Sequence, residues 1–148
     1  MANWWEKLQR LMTGHPAADD AADGKPRQGP KDPLGMRGEN VAAKHLQKLG
    51  YRIYGRNFKT PMGEIDIIAR DGKTLVFCEV KTRAYDEPTP EEQVDSSKMH
   101  QVTKAARFYL SRYGQSPPPA RFDVVAIVWP QGQEPIIRHI PNAFEPTF

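Results

Sequence analysis

Two extended runs joined by Asp71-Gly72 constrain this chain more than any other feature. Gly63-Glu64-Ile65-Asp66-Ile67-Ile68-Ala69-Arg70 and Leu75-Val76-Phe77-Cys78-Glu79-Val80-Lys81-Thr82-Arg83 are rich in β-branched and aromatic residues, and Asp-Gly between such runs is a strong hairpin signal. Side chains alternate along a strand, so Glu64 and Asp66 are expected on one face of the first run, and Glu79 and Lys81 on one face of the second. If Asp71-Gly72 forms a two-residue type I′ loop, Arg70 opposes Lys73, Ile68 opposes Leu75, Asp66 opposes Phe77 and Glu64 opposes Glu79. All four polar side chains then share a face, with Asp66 diagonal to Glu79 at roughly 7–8 Å between Cα atoms. A four-residue loop keeps that face; a three-residue loop would separate Asp66 from Glu79.

The rest of the chain supplies partners for this hairpin. Ala42, Ala43, Leu46 and Leu49 mark a helical stripe from Gly38 to Leu49, and Gly50 stands where a left-handed C-terminal cap belongs. A strand follows over Tyr51–Phe58, then a turn at Thr60-Pro61-Met62-Gly63. Beyond the hairpin, Met99, Val102, Ala106, Tyr109, Leu110 and Tyr113 give helical spacing over Ser97–Tyr113, stopped by Gly114. Pro117-Pro118-Pro119 is a rigid connector. It leads to an apolar strand over Arg121–Trp129 and a short last one over Pro135–Ile140. The order is αβββαβ with one added strand, which predicts an α/β fold: a mixed central sheet flanked by helices.

Residues 34–148 form one expected domain, a size that supports a real core at 39% apolar and 26% charged residues. Residues 1–12 read as a short amphipathic helix carrying Trp4 and Trp5. Residues 13–33, nearly all Ala, Asp, Gly and Pro, read as a flexible linker. The Trp helix could dock on the main domain, on a protein partner or on a membrane surface. A lone cysteine, Cys78, excludes an intramolecular disulfide and suits the cytoplasm. No stretch has the roughly 18 apolar residues of a membrane span, and none resembles a secretory leader.

Three carboxylates, Glu64, Asp66 and Glu79, crowded on one sheet face repel one another. A hard divalent cation removes that repulsion, and Mg²⁺ (or Mn²⁺) takes one or two carboxylates together with waters and phosphate oxygens. Lys81 beside Glu79 is suited to orient or deprotonate an attacking water and to offset developing negative charge. The competing reading of the same residues is a solvated sheet face with ordinary cross-strand ion pairs. The four histidines lack zinc-ligand spacing. Gly35-Met36-Arg37-Gly38 lacks both the preceding strand and the spacing of a nucleotide loop, which argues against ATP or NAD.

Gly38-Glu39-Asn40, Leu49-Gly50-Tyr51, Gly63-Glu64-Ile65-Asp66, Glu79-Val80-Lys81-Thr82-Arg83, Arg121-Phe122-Asp123-Val124-Val125 and Asn142-Ala143-Phe144 stand in an order that resembles the YraN family of bacterial proteins. The resemblance spans roughly Leu34 to Phe144. It implies the restriction-endonuclease-like, or PD-(D/E)xK, fold, similar to archaeal Holliday-junction resolvases, and nucleic-acid binding. It also implies Asp66 as the central metal-binding aspartate, Glu79 and Lys81 as the (D/E)xK pair, and the Val80 carbonyl as a further metal ligand. Glu39 matches the acidic residue of the first helix; a glutamate complementing the helix dipole is the alternative. Glu64 is either a second-layer partner or a surface residue.

The expected function is therefore a Mg²⁺-dependent endonuclease-type phosphodiesterase acting on DNA in preference to RNA, including branched or single-stranded forms. The alternatives are a nucleic-acid-binding module without turnover and an adaptor using the Trp helix. Net charge +3 and a pI of about 9.0 permit an anionic partner without demanding one. Arg83 and Arg121, expected near strand ends flanking the carboxylates, and Lys98, Lys104 and Arg107 on the second helix are the candidate phosphate contacts. A solvated helix face is the alternative for the last three, and Asp123 is expected to cap or pair with one of the two arginines. A homodimer is among the expected assemblies, because a junction needs two cuts. The stretch Ala84–Ser96 departs from the family in being acidic, which predicts that it bends away from a phosphate backbone or weakens binding to it.

Overall fold

The computed structural model describes residues 33–85 and 96–145. The Trp helix, the linker up to residue 32 and most of the acidic stretch lie outside them. In chain order come α1 (Pro33–Lys48), β1 (Arg52–Thr60), β2 (Gly63–Asp71), β3 (Thr74–Arg83), α2 (Ser96–Leu110) with a 3₁₀ turn at Ser111–Tyr113, β4 (Ala120–Val128) and β5 (Ile136–Ile140). The expected αβββαβ order with one added strand is what forms.

The strands make one sheet in the order β1-β2-β3-β4-β5. Only β3 and β4 run parallel; the other neighbours are antiparallel. A parallel pair needs a long crossover, and α2 supplies it. α1 and α2 cover opposite faces. Ala42, Ala43 and Leu46 of α1 pack on Ile67, Val76, Cys78, Val125 and Ile127. Val102, Ala106, Tyr109 and Leu110 of α2 pack on Ile68, Leu75, Phe77 and Phe122. With both faces covered, β3 and β4 read as near-continuous apolar runs, as buried strands should. Cys78 is wholly buried, the core residue its position on the strand predicts.

Two local devices set where the elements end. α1 stops in a Schellman arrangement: Gly50 N–H donates to Gln47 C=O at 3.0 Å and Tyr51 N–H to Leu46 C=O at 3.0 Å, with Gly50 at φ +91°. The β1–β2 turn is held by the Thr60 hydroxyl, which accepts from Met62 N–H and Gly63 N–H and donates to Gly63 C=O. The first helix opens five residues earlier than its apolar stripe predicted. The regular part of α2 ends three residues earlier, its last turn tightening to 3₁₀.

Candidate functional site

The hairpin turn differs from expectation. Asp71 pairs with Thr74, so the two-residue loop is Gly72-Lys73, with Gly72 at φ +58°. Type I′ would need positive φ at Lys73 as well, which it does not have, so glycine at the first central position makes the turn type II′. The register moves by two residues, from Ile68 opposite Leu75 to Ile68 opposite Phe77. The register ends at Ile67 opposite Cys78, so Asp66 and Glu79 lie just beyond the last pair rather than on a diagonal within the ladder.

The simple alternation expected for β2 also fails, at Asp66 itself. Ile65 packs in the core under α2, whereas Ile67 packs in the core under α1. Across β1, between the pairs Arg56–Ile67 and Phe58–Ile65, Asn57 adopts φ +52°. Asparagine tolerates this left-handed conformation better than most residues, and the β1–β2 register runs unbroken across it, its one shift lying between Ile53 and Gly55. The β2–β3 pairing runs from Asp71–Thr74 to Ile67–Cys78. Beyond it the Asp66 carboxylate reaches β3: its Oδ2 accepts the Val80 N–H at 2.9 Å. In an extended strand the N–H and C=O of one residue face the same neighbour, so the Val80 carbonyl also faces this gap.

Asp66 and Glu79 are each only 4% exposed, and they are near enough for the Asp66 charge to act on the Glu79 carboxyl. Burial pushes the Glu79 carboxyl well above its ordinary range, Asp66 adds to the push, and Lys98 pulls back. Lys98 Nζ stands 3.2 Å from Glu79 Oε1. Glu79 Oε2 is buried and has no hydrogen-bond partner. Two neighbouring buried carboxyls, one of them an oxygen short of a partner, are a costly arrangement unless a proton or a cation joins them. Both are oxygen donors on one gap, the donor type a hard divalent ion selects.

The other expected site residues divide. Lys81 is half-buried; burial lowers its ammonium pKa, and Arg83 nearby lowers it further. Arg83 is half-buried with its Nε unpartnered. Glu64 is half-buried, and its charge acts on Lys98. Lys104 and Arg107 are half-buried on α2. Glu39 is buried on α1, the helix of the opposite face. Among the described residues no group of three or more His, Cys, Asp or Glu side chains gathers in a metal-holding cluster.

Arg121 requires a correction. It pairs with Val76, nearer the other end of β3 from Lys81, and does not flank the carboxylates. Its guanidinium is committed to Asp123 (Nε to Oδ1 2.9 Å), Asp71 (Nη1 to Oδ2 3.1 Å) and the Tyr51 hydroxyl (2.7 Å). Asp123 thus takes the arginine partner expected of it, and in addition His139 Nε2 at 2.8 Å and the Asn142 N–H at 2.9 Å. Lys98, expected as a phosphate contact, is turned inward onto Glu79. Its place follows from Gly63, where a Cβ would come within 2.5 Å of the Gln101 carbonyl oxygen, so α2 lies directly on the start of β2. The glycine at 63 was the one sequence signal for that approach.

The chain is similar in sequence to known proteins. The sequence model of the Uncharacterised protein family UPF0102 matches residues 38–127, from the first turns of α1 to the end of β4. The chain belongs to the UPF0102, or YraN, family. A UPF0102 protein of Geobacter sulfurreducens is 51% identical over 113 residues, covering 76% of this chain and 88% of the relative. One from Geobacter metallireducens is 50% identical over 113 residues, covering 76% and 92%. A UPF0102 protein of Symbiobacterium thermophilum is 46% identical over 112 residues, covering 75% and 95%. The restriction-endonuclease-like core expected of the family is consistent with the mixed sheet and its two flanking helices. Among the described residues no helix of this UPF0102 chain is long and apolar enough to cross a membrane.

Proposed function

We propose that this UPF0102 chain is a metal-dependent phosphodiesterase of the endonuclease type, acting on DNA. The observation that carries the reading is the buried Asp66–Glu79 pair at the point where the β2–β3 ladder opens, with Glu79 Oε2 unpartnered. Asp66, Glu79 and the Val80 carbonyl would hold Mg²⁺ or Mn²⁺. Such an ion acidifies a bound water and stabilises charge on a phosphoryl group. Lys81, two residues from Glu79 and with its pKa lowered by burial, is the residue to orient the water or accept its proton. Arg83, Lys104 and Arg107 are the candidate contacts to the phosphate backbone, which position the substrate without reading its sequence.

A second reading is a module that binds nucleic acid without turnover, in which Arg83, Lys104 and Arg107 carry the affinity. The experiment that separates the two is cleavage of labelled single-stranded, duplex and four-way-junction DNA in Mg²⁺, Mn²⁺ and EDTA, with Asp66→Ala and Lys81→Ala as controls. Metal-dependent products absent from both variants support the enzyme and name its substrate. Binding without cleavage in every metal supports the module. Cleavage untouched by both substitutions sinks the assignment of these residues.

A further inference from the structure

Lys98 sits in the carboxylate site for a reason of packing. Gly63 carries no side chain, and α2 therefore lies against the start of β2, with Gln101 at the contact. One helical turn earlier, Lys98 reaches across to Glu79, Nζ to Oε1 3.2 Å. The Glu79 side chain is 5% exposed and that of Lys98 35%, so the ion pair is shielded on one side and open on the other. The helix therefore delivers a cation to the same oxygens a divalent ion would need. An ammonium and a divalent ion on Oε1 repel each other, and both draw on the same lone pairs.

We propose that Lys98 is the built-in counter-ion of the site: it neutralises the Asp66–Glu79 pair, yields Glu79 Oε1 to an incoming divalent cation, and so sets how tightly that cation is held. This rests on the reading that the pair binds such a cation. Lysine fits the role, being a compact charge on a flexible four-carbon stem. Once displaced it remains beside the site, in reach of a phosphate oxygen on a substrate. Lys98 is in this account a positioning residue that acts through Glu79.

The test is a calorimetric Mn²⁺ titration of the full chain at pH 8, on wild type, Lys98→Met, Lys98→Gln and Lys98→Arg, with melting temperatures in EDTA. Removing the charge is expected to tighten Mn²⁺ binding roughly tenfold, the scale of a coupling between neighbouring sites. The two uncharged variants also melt lower in EDTA, because the carboxyl pair has lost its counter-ion, while Lys98→Arg melts near wild type. Wild-type uptake of Mn²⁺ with unchanged or weaker affinity in both uncharged variants overturns the role of Lys98 alone. A wild type that takes up no Mn²⁺ overturns both this role and the cation site on which it depends.

Discussion

Two buried carboxylates on adjacent parallel strands, Asp123 on β4 and Glu79 on β3, are treated in opposite ways. Asp123 is fully buried, yet both its oxygens are satisfied: Arg121 and the Asn142 N–H bind Oδ1, and His139 and Arg121 bind Oδ2. Burial raises its pKa, but the His139 and Arg121 bonds outweigh that, and the carboxyl lies below its ordinary value. Glu79 has one oxygen on Lys98, the other on nothing, and a second carboxyl against it. Its pKa moves the other way. The first network ties the residue just before β1, the hairpin tip, β4 and β5 together, which is a structural task. The second opposes the fold, and groups held against their own solvation collect where a protein does chemistry.

The comparison is sharpest in activity. Glu79→Ala is expected to lower metal-dependent cleavage about a thousandfold, because a metal supplies several kcal/mol of charge stabilisation. Asp123→Asn should leave the turnover of folded molecules unchanged, as measured with active-site concentration normalised to the folded fraction. Equal losses in the two variants would erase the distinction between a working and a structural carboxylate.

Stability should show the reverse order. Asp123→Ala leaves Arg121 and His139 facing a cavity without their partner and is expected to cost about 3–5 kcal/mol, read from urea unfolding. Glu79→Gln removes a desolvated like-charge contact and should stabilise the metal-free chain by about 1 kcal/mol. A destabilised Glu79→Gln would show the pair to be structural after all.

The two groups also predict opposite pH dependences. Asp123, with its folded pKa depressed, contributes stability that is present above its ordinary value of 3.8 and is lost as pH falls through the folded value. Glu79, with its folded pKa raised, favours folding below its ordinary 4.5, and that contribution is lost as pH rises through the folded value. Acid unfolding of Asp123→Asn should therefore be shallower than wild type below pH 3.8. In EDTA, Glu79→Gln should flatten the fall in stability on the other side, above pH 4.5. The smallest effect is Tyr51→Phe, which removes one hydrogen bond to Arg121 and should cost about 1 kcal/mol.

Much of this was legible in the chain. The runs around Asp71-Gly72 announced the hairpin, and the periodicity around Leu46 and Val102 announced the two helices, because burial on one stripe leaves a local pattern. Asp66 and Glu79 stood out as carboxylates in an apolar stretch. The register did not follow, because Asp-Gly permits more than one loop and Gly72 took the position that Asp71 was expected to hold. Nor did the break in alternation between Ile65 and Ile67, which face opposite helices. The side-chain partners of Lys98 and Arg121 were not legible, for a common reason. Each side chain is placed by a partner many residues away, Glu79 in one case and Asp71 and Tyr51 in the other. Strand and helix periodicity hold no information about such partners.

The most direct test of the central claim is the melting temperature of wild type, Glu79→Gln and Asp123→Asn across rising Mn²⁺, each against EDTA. A ligand that binds the folded state raises stability as its concentration passes Kd. The account predicts a rise for wild type and for Asp123→Asn, and little or none for Glu79→Gln. An equal rise in Glu79→Gln, or none in wild type, would contradict the claim that the Asp66–Glu79 pair is a divalent-cation site.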